Sequence, residues 1–386
     1  MATDKAQQYR VMIVTGEASG DLHGANLIRA AREIDPRLSF FGVGGSRMAA
    51  EGCELLFAGE ELAVMGLVEV LGHFPAIYKA FCALRDLLRG PQRPDLLILI
   101  DFPEFNLRLA RQAKKAGVPV LYYVSPQVWA WRRGRVKKIA RVVDRLAAVF
   151  PFEPELYKGQ DILAEYVGHP LVADMRVTIE PTEYRRQHGL DLDRPVVGLF
   201  PGSRRSELKY IFGTILDTAR HLLQSRPDVQ FLLPVAPSLD PAFFQEQIAA
   251  ADLPVTLVQD NIYDTAQACD VVVSVSGTVT LQIALVGTPL AIIYKMNPLT
   301  FAIGKRLVKV PFIGLVNIVA GRQVVREFIQ DQAAPETIAA EVMHILDDPE
   351  YAALMRKGLV EVKEKMGGPG CSEKVAQMAS DMVSRQ

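Results

Sequence analysis

Short apolar runs alternate with segments of helical periodicity along the first half of the chain. Residues 11–14, 96–100 and 118–124 form such runs, rich in Val, Ile and Leu, and residues 145–150 and 162–167 continue the pattern. Runs of this length that lack polar alternation are typical of parallel strands buried on both faces. We therefore predict a first α/β domain over residues 1–172.

The same pattern starts again after a polar, proline-containing segment, residues 173–194, which we interpret as a linker. A second set of apolar runs covers residues 196–200, 230–235, 255–258, 271–276 and 290–294. Alternating strands and helices predict a second α/β domain over residues 195–348. We expect two doubly wound, Rossmann-like domains facing a cleft, with C-terminal helices at 349–386 packing back on the N-terminal domain.

Composition narrows the classes of protein. With 43 Lys and Arg against 44 Asp and Glu, the net charge of −1 gives no reason to expect nucleic acid. No apolar run reaches the roughly 18 residues of a membrane-spanning helix. The polar N-terminus lacks the pattern of a signal peptide, which favours a cytoplasmic protein. The four cysteines match neither a zinc site nor a redox pair.

Ligands of parallel sheets bind beyond the carboxyl ends of the strands, so chemistry is sought there. After the run 196–200, Gly202, Ser203 and Arg204 form a small-residue turn before a helical segment. Free N–H groups at a helix start bind phosphate, and a guanidinium adds a permanent charge. This turn predicts a diphosphate site, with an ordinary helix cap as the alternative.

A second turn of this kind follows the run 271–276 in the same domain. Ser276, Gly277 and Thr278 lead into another helical segment, which contains Gln282. Small residues there also suit simple packing. The pair of turns nevertheless predicts that one nucleotide is bound from both sides.

The first domain offers carboxylates at two strand ends. Glu17 and Ser19 lie in a loop without the GxGxxG pattern, which argues against a dinucleotide. Asp101 directly follows the run 96–100, where partial burial would raise its pKa and suit it to act as a base. Capping within the loops is the alternative for these residues. The triplet 191–193, Asp-Leu-Asp, resembles a metal-binding motif, but it lies in a polar loop and we interpret it as surface. We therefore predict no metal and no cofactor.

Two stretches predict a lipid-facing surface. Residues 63–88 carry an apolar stripe wider than one core face, and a basic cluster follows the only two tryptophans. A solvated basic helix beside a core tryptophan is the alternative. The residues assigned to this surface are Val64, Met65, Leu67, Val68, Leu71, Trp129, Trp131, Arg132 and Arg133.

The sequence resembles the lipid-A-disaccharide synthases over nearly its whole length. Residues 16–21 (GEASGD), 62–66 (LAVMG), 123–131 (YVSPQVWAW) and 201–204 (PGSR) are similar to family motifs and stand in the family's order. Residues 168–170, 276–278 and 320–322 extend the likeness.

The resemblance implies a glycosyltransferase of GT-B fold in lipid A and lipopolysaccharide biosynthesis. It implies inverting, metal-independent transfer from UDP-2,3-diacylglucosamine to 2,3-diacylglucosamine 1-phosphate (lipid X). The products would be a β-1,6 disaccharide and UDP. It also implies a peripheral place on the cytosolic face of the inner membrane, and suggests a homodimer. Asp101 would be the base for the acceptor hydroxyl, Arg204 a diphosphate ligand and Asn317 a further site residue.

The sequence departs from the family pattern at two positions. Gln282 stands where Glu is frequent, and Val316 where Pro is common. Two other functions share the architecture: a UDP-N-acetylglucosamine 2-epimerase, which needs no lipid, and a nucleotide-sugar sensor without catalysis. The apolar stretch 63–88 argues against the epimerase.

Overall fold

A computed structural model describes residues 8–62, 67–131, 134–307 and 310–385. The chain divides into two compact units, one of residues 1–173 together with 367–386 and the other of residues 174–366. The second unit is therefore inserted, in sequence, within the first.

The first unit contains a seven-stranded parallel sheet with the strand order β3-β2-β1-β4-β5-β6-β7. The order reverses between β1 and β4, as in a doubly wound sheet, so a crevice is expected at the carboxyl ends of these two strands. All five residues of β4 are fully buried, because helices cover both faces of the sheet. The strands are β1 (Tyr9–Val14), β2 (Leu38–Gly44), β3 (Glu54–Ala58), β4 (Leu96–Ile100), β5 (Val120–Tyr123), β6 (Arg145–Ala148) and β7 (Leu163–Tyr166).

The last helix of the chain belongs to this first unit, where it packs on the first helix. The Ser380 hydroxyl donates to the Asp35 carboxylate at 2.8 Å, and the Tyr123 hydroxyl lies 3.1 Å from the Cys371 thiol. The helices are α1 (Ala18–Ile34), α2 (Ser46–Ala50), α3 (Gly59–Leu62), α4 (Leu67–Arg89), α5 (Pro103–Lys115), α6 (Val128–Trp131), α7 (Arg135–Ala140), α8 (Glu153–Leu156), α9 (Pro170–Asp174, at the boundary) and α19 (Cys371–Ser384).

The second unit contains a six-stranded parallel sheet with the strand order β10-β9-β8-β11-β12-β13. Its order reverses between β8 and β11, and these are the strands that the two small-residue turns follow. The strands are β8 (Val196–Phe200), β9 (Gln230–Pro234), β10 (Val255–Val258), β11 (Val271–Val275), β12 (Leu290–Tyr294) and β13 (Glu327–Ile329). The predicted architecture of two doubly wound sheets with C-terminal helices is confirmed.

The helices of the second unit include one that the sequence had grouped with the first. Residues 349–386 were predicted to pack back on the N-terminal domain, but only α19 lies in the first unit. Helix α18 packs on α14 and α16. The helices are α10 (Pro181–Gln187), α11 (Arg205–Ser225), α12 (Pro241–Ala251), α13 (Ile262–Gln267), α14 (Thr278–Val286), α15 (Pro298–Leu307), α16 (Leu315–Ala320), a 3₁₀ turn (Gln330–Gln332), α17 (Pro335–Asp347) and α18 (Pro349–Lys365).

The predicted apolar stretch 63–88 corresponds largely to α4. Its C-terminal half packs into the core through Ala80, Leu84 and Leu88, whereas Tyr78 is 57% exposed. Among the helices in the described part of the chain, none is both long enough and apolar enough to span a bilayer.

Candidate functional site

A cavity of about 330 Å³ lies in the second unit at the carboxyl ends of β8 and β11. Its volume is in the range of small-molecule sites. Both turns predicted from the sequence reach it. The predicted site residues that line it are Gly202, Ser203, Arg204, Ser276, Gly277, Thr278 and Gln282.

Gly202 is required by the path of the backbone at the first turn. Its φ is +89°, a value that residues other than glycine rarely adopt, and a Cβ atom would lie 2.7 Å from the Val275 side chain. The turn therefore lies directly against the end of β11, close enough for both turns to contact one ligand.

Arg204 stands immediately before α11, with its backbone still extended. Its side chain is 63% exposed, and Nη1 donates to Glu207 Oε1 at 3.1 Å. The first N–H groups of a long helix and an exposed guanidinium together form a strong anion site. A bound anion would compete with Glu207 for Arg204.

The second turn is held from behind by a chain of hydrogen bonds. Ser276 Oγ donates to the Ile313 carbonyl at 3.1 Å, and the N–H groups of Ile313 and Gly314 donate to the Glu327 carboxylate at 2.8 and 3.0 Å. Asn317 Nδ2 donates to that carboxylate at 2.7 Å. Loop 311–314 thus connects the turn to a buried support.

Asn317 belongs to this support. Its side chain is fully buried, and it also donates to the Val325 carbonyl and accepts from the N–H groups of Val324 and Val325. These contacts use both amide protons and both lone pairs. The structure therefore places Asn317 as a positioning residue, since its side chain has no hydrogen-bonding group left for a ligand.

Asp260 also lines the cavity, and it was not among the predicted residues. The Tyr184 hydroxyl donates to its Oδ2 at 3.0 Å, and His188 Nε2 lies 2.8 Å from the same atom. A carboxylate oriented in this way suits a ligand hydroxyl or N–H. Its position two residues after β10, at a strand end, was the available signal.

In the first unit, Asp101 follows β4 in a strained conformation. Asp101 and Phe102 both have a φ of +46°, in the left-handed region that non-glycine residues seldom occupy. The Asp101 carbonyl accepts from the Tyr122 hydroxyl at 2.6 Å and from Asn106 Nδ2 at 2.8 Å. Phe102 packs against Gly16, where a Cβ would lie 2.8 Å from the ring. Strain held by this many contacts is frequent at functional sites.

The Asp101 carboxyl has a raised pKa. Burial raises its pKa to about 6, and the neighbouring Glu17 carboxylate contributes in the same direction. Glu17 and Ser19 are exposed at the start of α1. Asp21 has a different role, because its carboxylate accepts from the N–H groups of Gly45 and Met48 at 2.7 and 3.1 Å and caps α2.

The predicted lipid-facing role of Trp129 is wrong. The indole is buried and packs edge-on against Phe150 and Phe152, with ring centroids 6.0 and 5.4 Å away. An aromatic side chain next to basic residues can face the core as easily as the surface, and the sequence does not distinguish these cases. Glu153 lies in the same cluster, where burial raises its pKa to about 7.

The other residues of the predicted lipid-facing surface have no described side chains. Val64, Met65, Arg132 and Arg133 lie outside the described residues. For Leu67, Val68, Leu71 and Trp131 the structure gives only the helical backbone. Their role at a membrane stays a prediction.

Comparison with known proteins identifies relatives along nearly the whole chain. Residues 11–380 match the family model described as "Lipid-A-disaccharide synthetase". A protein of Syntrophotalea carbinolica named lipid-A-disaccharide synthase is 64% identical over 97% of this chain and 96% of its own. One of the same name from Geobacter sulfurreducens is 54% identical over 98% of each chain.

Solved structures show likeness in fold at low sequence identity. A putative UDP-N-acetylglucosamine 2-epimerase from Listeria monocytogenes superimposes with a TM-score of 0.66 at 11% identity and 98% coverage of both chains. The glycotransferase of kitacinnamycin gives a TM-score of 0.61 at 14% identity, over 97% of this chain and 99% of its own. The epimerase alternative is thus supported at the level of fold alone.

Proposed function

The chain belongs to the lipid-A-disaccharide synthase family, and from this we propose that it joins two acylated glucosamines. The donor is UDP-2,3-diacylglucosamine and the acceptor is 2,3-diacylglucosamine 1-phosphate. The donor site is assigned from one observation: both small-residue turns of the second unit line the same cavity.

The second unit binds the UDP part of the donor in this proposal. The diphosphate lies at the N-terminus of α11, where backbone N–H groups and the Arg204 guanidinium offset its charge. Asp260 and Gln282, on the same cavity, are available for hydroxyl or base groups. Because these groups stabilise the charge that grows on departing UDP, we propose that no metal ion is needed.

Asp101 of the first unit takes the proton in the same step. The acceptor 6-hydroxyl oxygen attacks C1 of the donor sugar from the face opposite UDP. The C1–O6 bond forms, the bond from C1 to the diphosphate oxygen breaks, and the hydroxyl proton passes to the Asp101 carboxylate. A base with a pKa near 6 is ionised at neutral pH and still able to hold the proton in the transition state.

We also propose that the protein works on the cytosolic face of the inner membrane, in a peripheral manner, and forms a homodimer. Support comes from acylated substrates and from the exposed Tyr78 on α4, in the middle of the apolar stretch. Aromatic side chains of this kind favour the interface of a bilayer.

The test supplies donor and acceptor to the purified protein in detergent and measures UDP and disaccharide. Arg204→Ala should reduce turnover by about 10²-fold or more, the scale of losing one oxyanion-stabilising group, while the fold is kept. Addition of EDTA should leave turnover unchanged. Absence of disaccharide, or conversion of UDP-N-acetylglucosamine alone to its 2-epimer, would contradict the proposal.

A further inference from the structure

A second cavity in the same unit has a different character. It measures about 380 Å³ and lies between the first turns of α11 and α12. We call it the α11–α12 pocket. The buried side chains of Leu208, Leu239 and Phe244 form its inner wall, and Phe212 packs edge-on behind Phe244 at 5.1 Å. The interior is therefore apolar.

The rim of this pocket combines an aromatic ring with positive charge. Phe243 is 42% exposed, and Arg205 and Lys209 are exposed beside it. The Asp240 carboxylate, also at the rim, accepts from the Ala242 N–H and caps α12. Such a rim favours a ligand that carries negative charge next to an apolar chain.

The α11–α12 pocket adjoins the proposed diphosphate site. Arg205, on its rim, directly follows Arg204 of the first turn. The Ser238 hydroxyl donates to the Ser203 carbonyl at 3.2 Å, so the loop that leads into α12 is fastened to that turn. The same loop lines the first cavity through Pro237 and the second through Leu239. The two cavities are therefore neighbours that share the start of α11 and the loop before α12.

We propose that the α11–α12 pocket binds one fatty acyl chain of the nucleotide-sugar donor, with Phe243 as a determinant of chain specificity. This inference rests on the proposed function, which supplies the acylated donor. It goes further, because it assigns to the UDP-binding unit a site for the lipid part of that substrate. An apolar interior takes the chain, and the cationic rim faces the diphosphate end.

The test measures binding, so that it does not depend on turnover. Long-chain UDP-diacylglucosamine and a matched donor with hexanoyl chains compete against UDP on the full-length protein in detergent. Each buried methylene contributes about a fourfold gain in affinity. The native protein should therefore prefer the long chain strongly.

Phe243→Ala should lower the ratio of long-chain to short-chain affinity by about tenfold, because the ring that covers the chain is lost. The affinity for UDP alone should stay within about twofold, which also shows that the unit is folded. Leu354→Ala on α18 is the matched control, since Leu354 is a 66% exposed apolar residue of the same unit that does not line the pocket. It should leave the ratio unchanged.

An unchanged ratio in Phe243→Ala would overturn the proposal. Reduced binding of the variant to anionic vesicles with an unchanged ratio would overturn it too, because the pocket would then bind the bilayer rather than the donor. Absence of glycosyl transfer in the native protein would count against the proposed function, while the affinity ratio would still decide for or against the acyl site.

Discussion

The titration of Asp101 should be observable in the pH dependence of catalysis. Its pKa of about 6 means that the base loses its activity by protonation as the pH falls below that value. We expect kcat/KM to fall about tenfold per pH unit below pH 6. Glu17→Gln removes a negative neighbour and should shift this fall to lower pH. A profile that keeps its midpoint in Glu17→Gln would contradict the electrostatic coupling.

The same carboxyl should weaken the fold at neutral pH. Its pKa is raised above the unfolded value, so the folded state releases its proton less readily, and stability falls as the pH rises from about 4 to 6. Asp101→Asn should therefore raise the free energy of unfolding at pH 8 by at most about 3 kcal/mol, and by much less at pH 4. Urea denaturation at the two pH values measures the difference. An equal gain in the free energy of unfolding at both pH values would mean that the variant relieves backbone strain rather than a buried charge.

Replacing Asn317 should lower the stability of the fold, whereas Asp101→Asn should raise it. Asn317→Ala removes four hydrogen bonds and leaves the buried N–H and carbonyl of Val325 without these partners, whereas the Glu327 carboxylate keeps its two backbone donors. The free energy of unfolding should fall by about 2 to 4 kcal/mol, and UDP should bind more weakly because loop 311–314 supports Ser276. Weaker UDP binding without loss of stability would favour direct contact with the ligand over a positioning role.

At the scale of elements, the two small-residue turns provide a matched pair of glycines. Gly202 has a positive φ and no room for a Cβ, whereas Gly277 is extended and has open space beside it. Gly202→Ala should cost about 1 to 3 kcal/mol of stability, and Gly277→Ala less than about 0.5 kcal/mol. Thermal unfolding of both variants without ligand checks this. Equal losses would mean that the first turn relaxes to accept the side chain.

The sequence was informative where burial alone decides the pattern. The run 96–100 is apolar at every position because both faces of β4 are covered, and the turns after β8 and β11 follow from the rule that ligands bind at strand ends. Helical periodicity shows which face is apolar but not which core it covers. For that reason residues 349–386 were grouped together, although α18 and α19 pack in different units.

The roles of individual side chains were harder to predict from the sequence than the helices and strands. Asn317 is a site residue by resemblance and a structural support by its hydrogen bonds, and nothing local in the sequence separates the two. The same holds for Trp129, which a basic cluster follows in the chain, while its neighbours in space are aromatic. Contacts between residues distant in sequence decide both cases.

At the scale of the whole molecule, the first unit depends on the last helix. Removing residues 371–385 should uncover the face of α1 that packs on α19. Hydrogen exchange should then show α1 and β1 losing protection, with β8 and β11 of the second unit as the internal reference. Undiminished protection in α1 would mean that α19 adds little to the first unit.

Because the ribosome makes the chain from its N-terminus, helix α19 of the first unit is made only after the whole second unit. At roughly 5 to 20 residues per second, the interval between residue 173 and residue 367 corresponds to about 10 to 40 s of synthesis. During that time the first unit lacks its closing helix, while the inserted second unit emerges complete. We expect nascent chains to present the bare face of α1 to chaperones until α19 has been made.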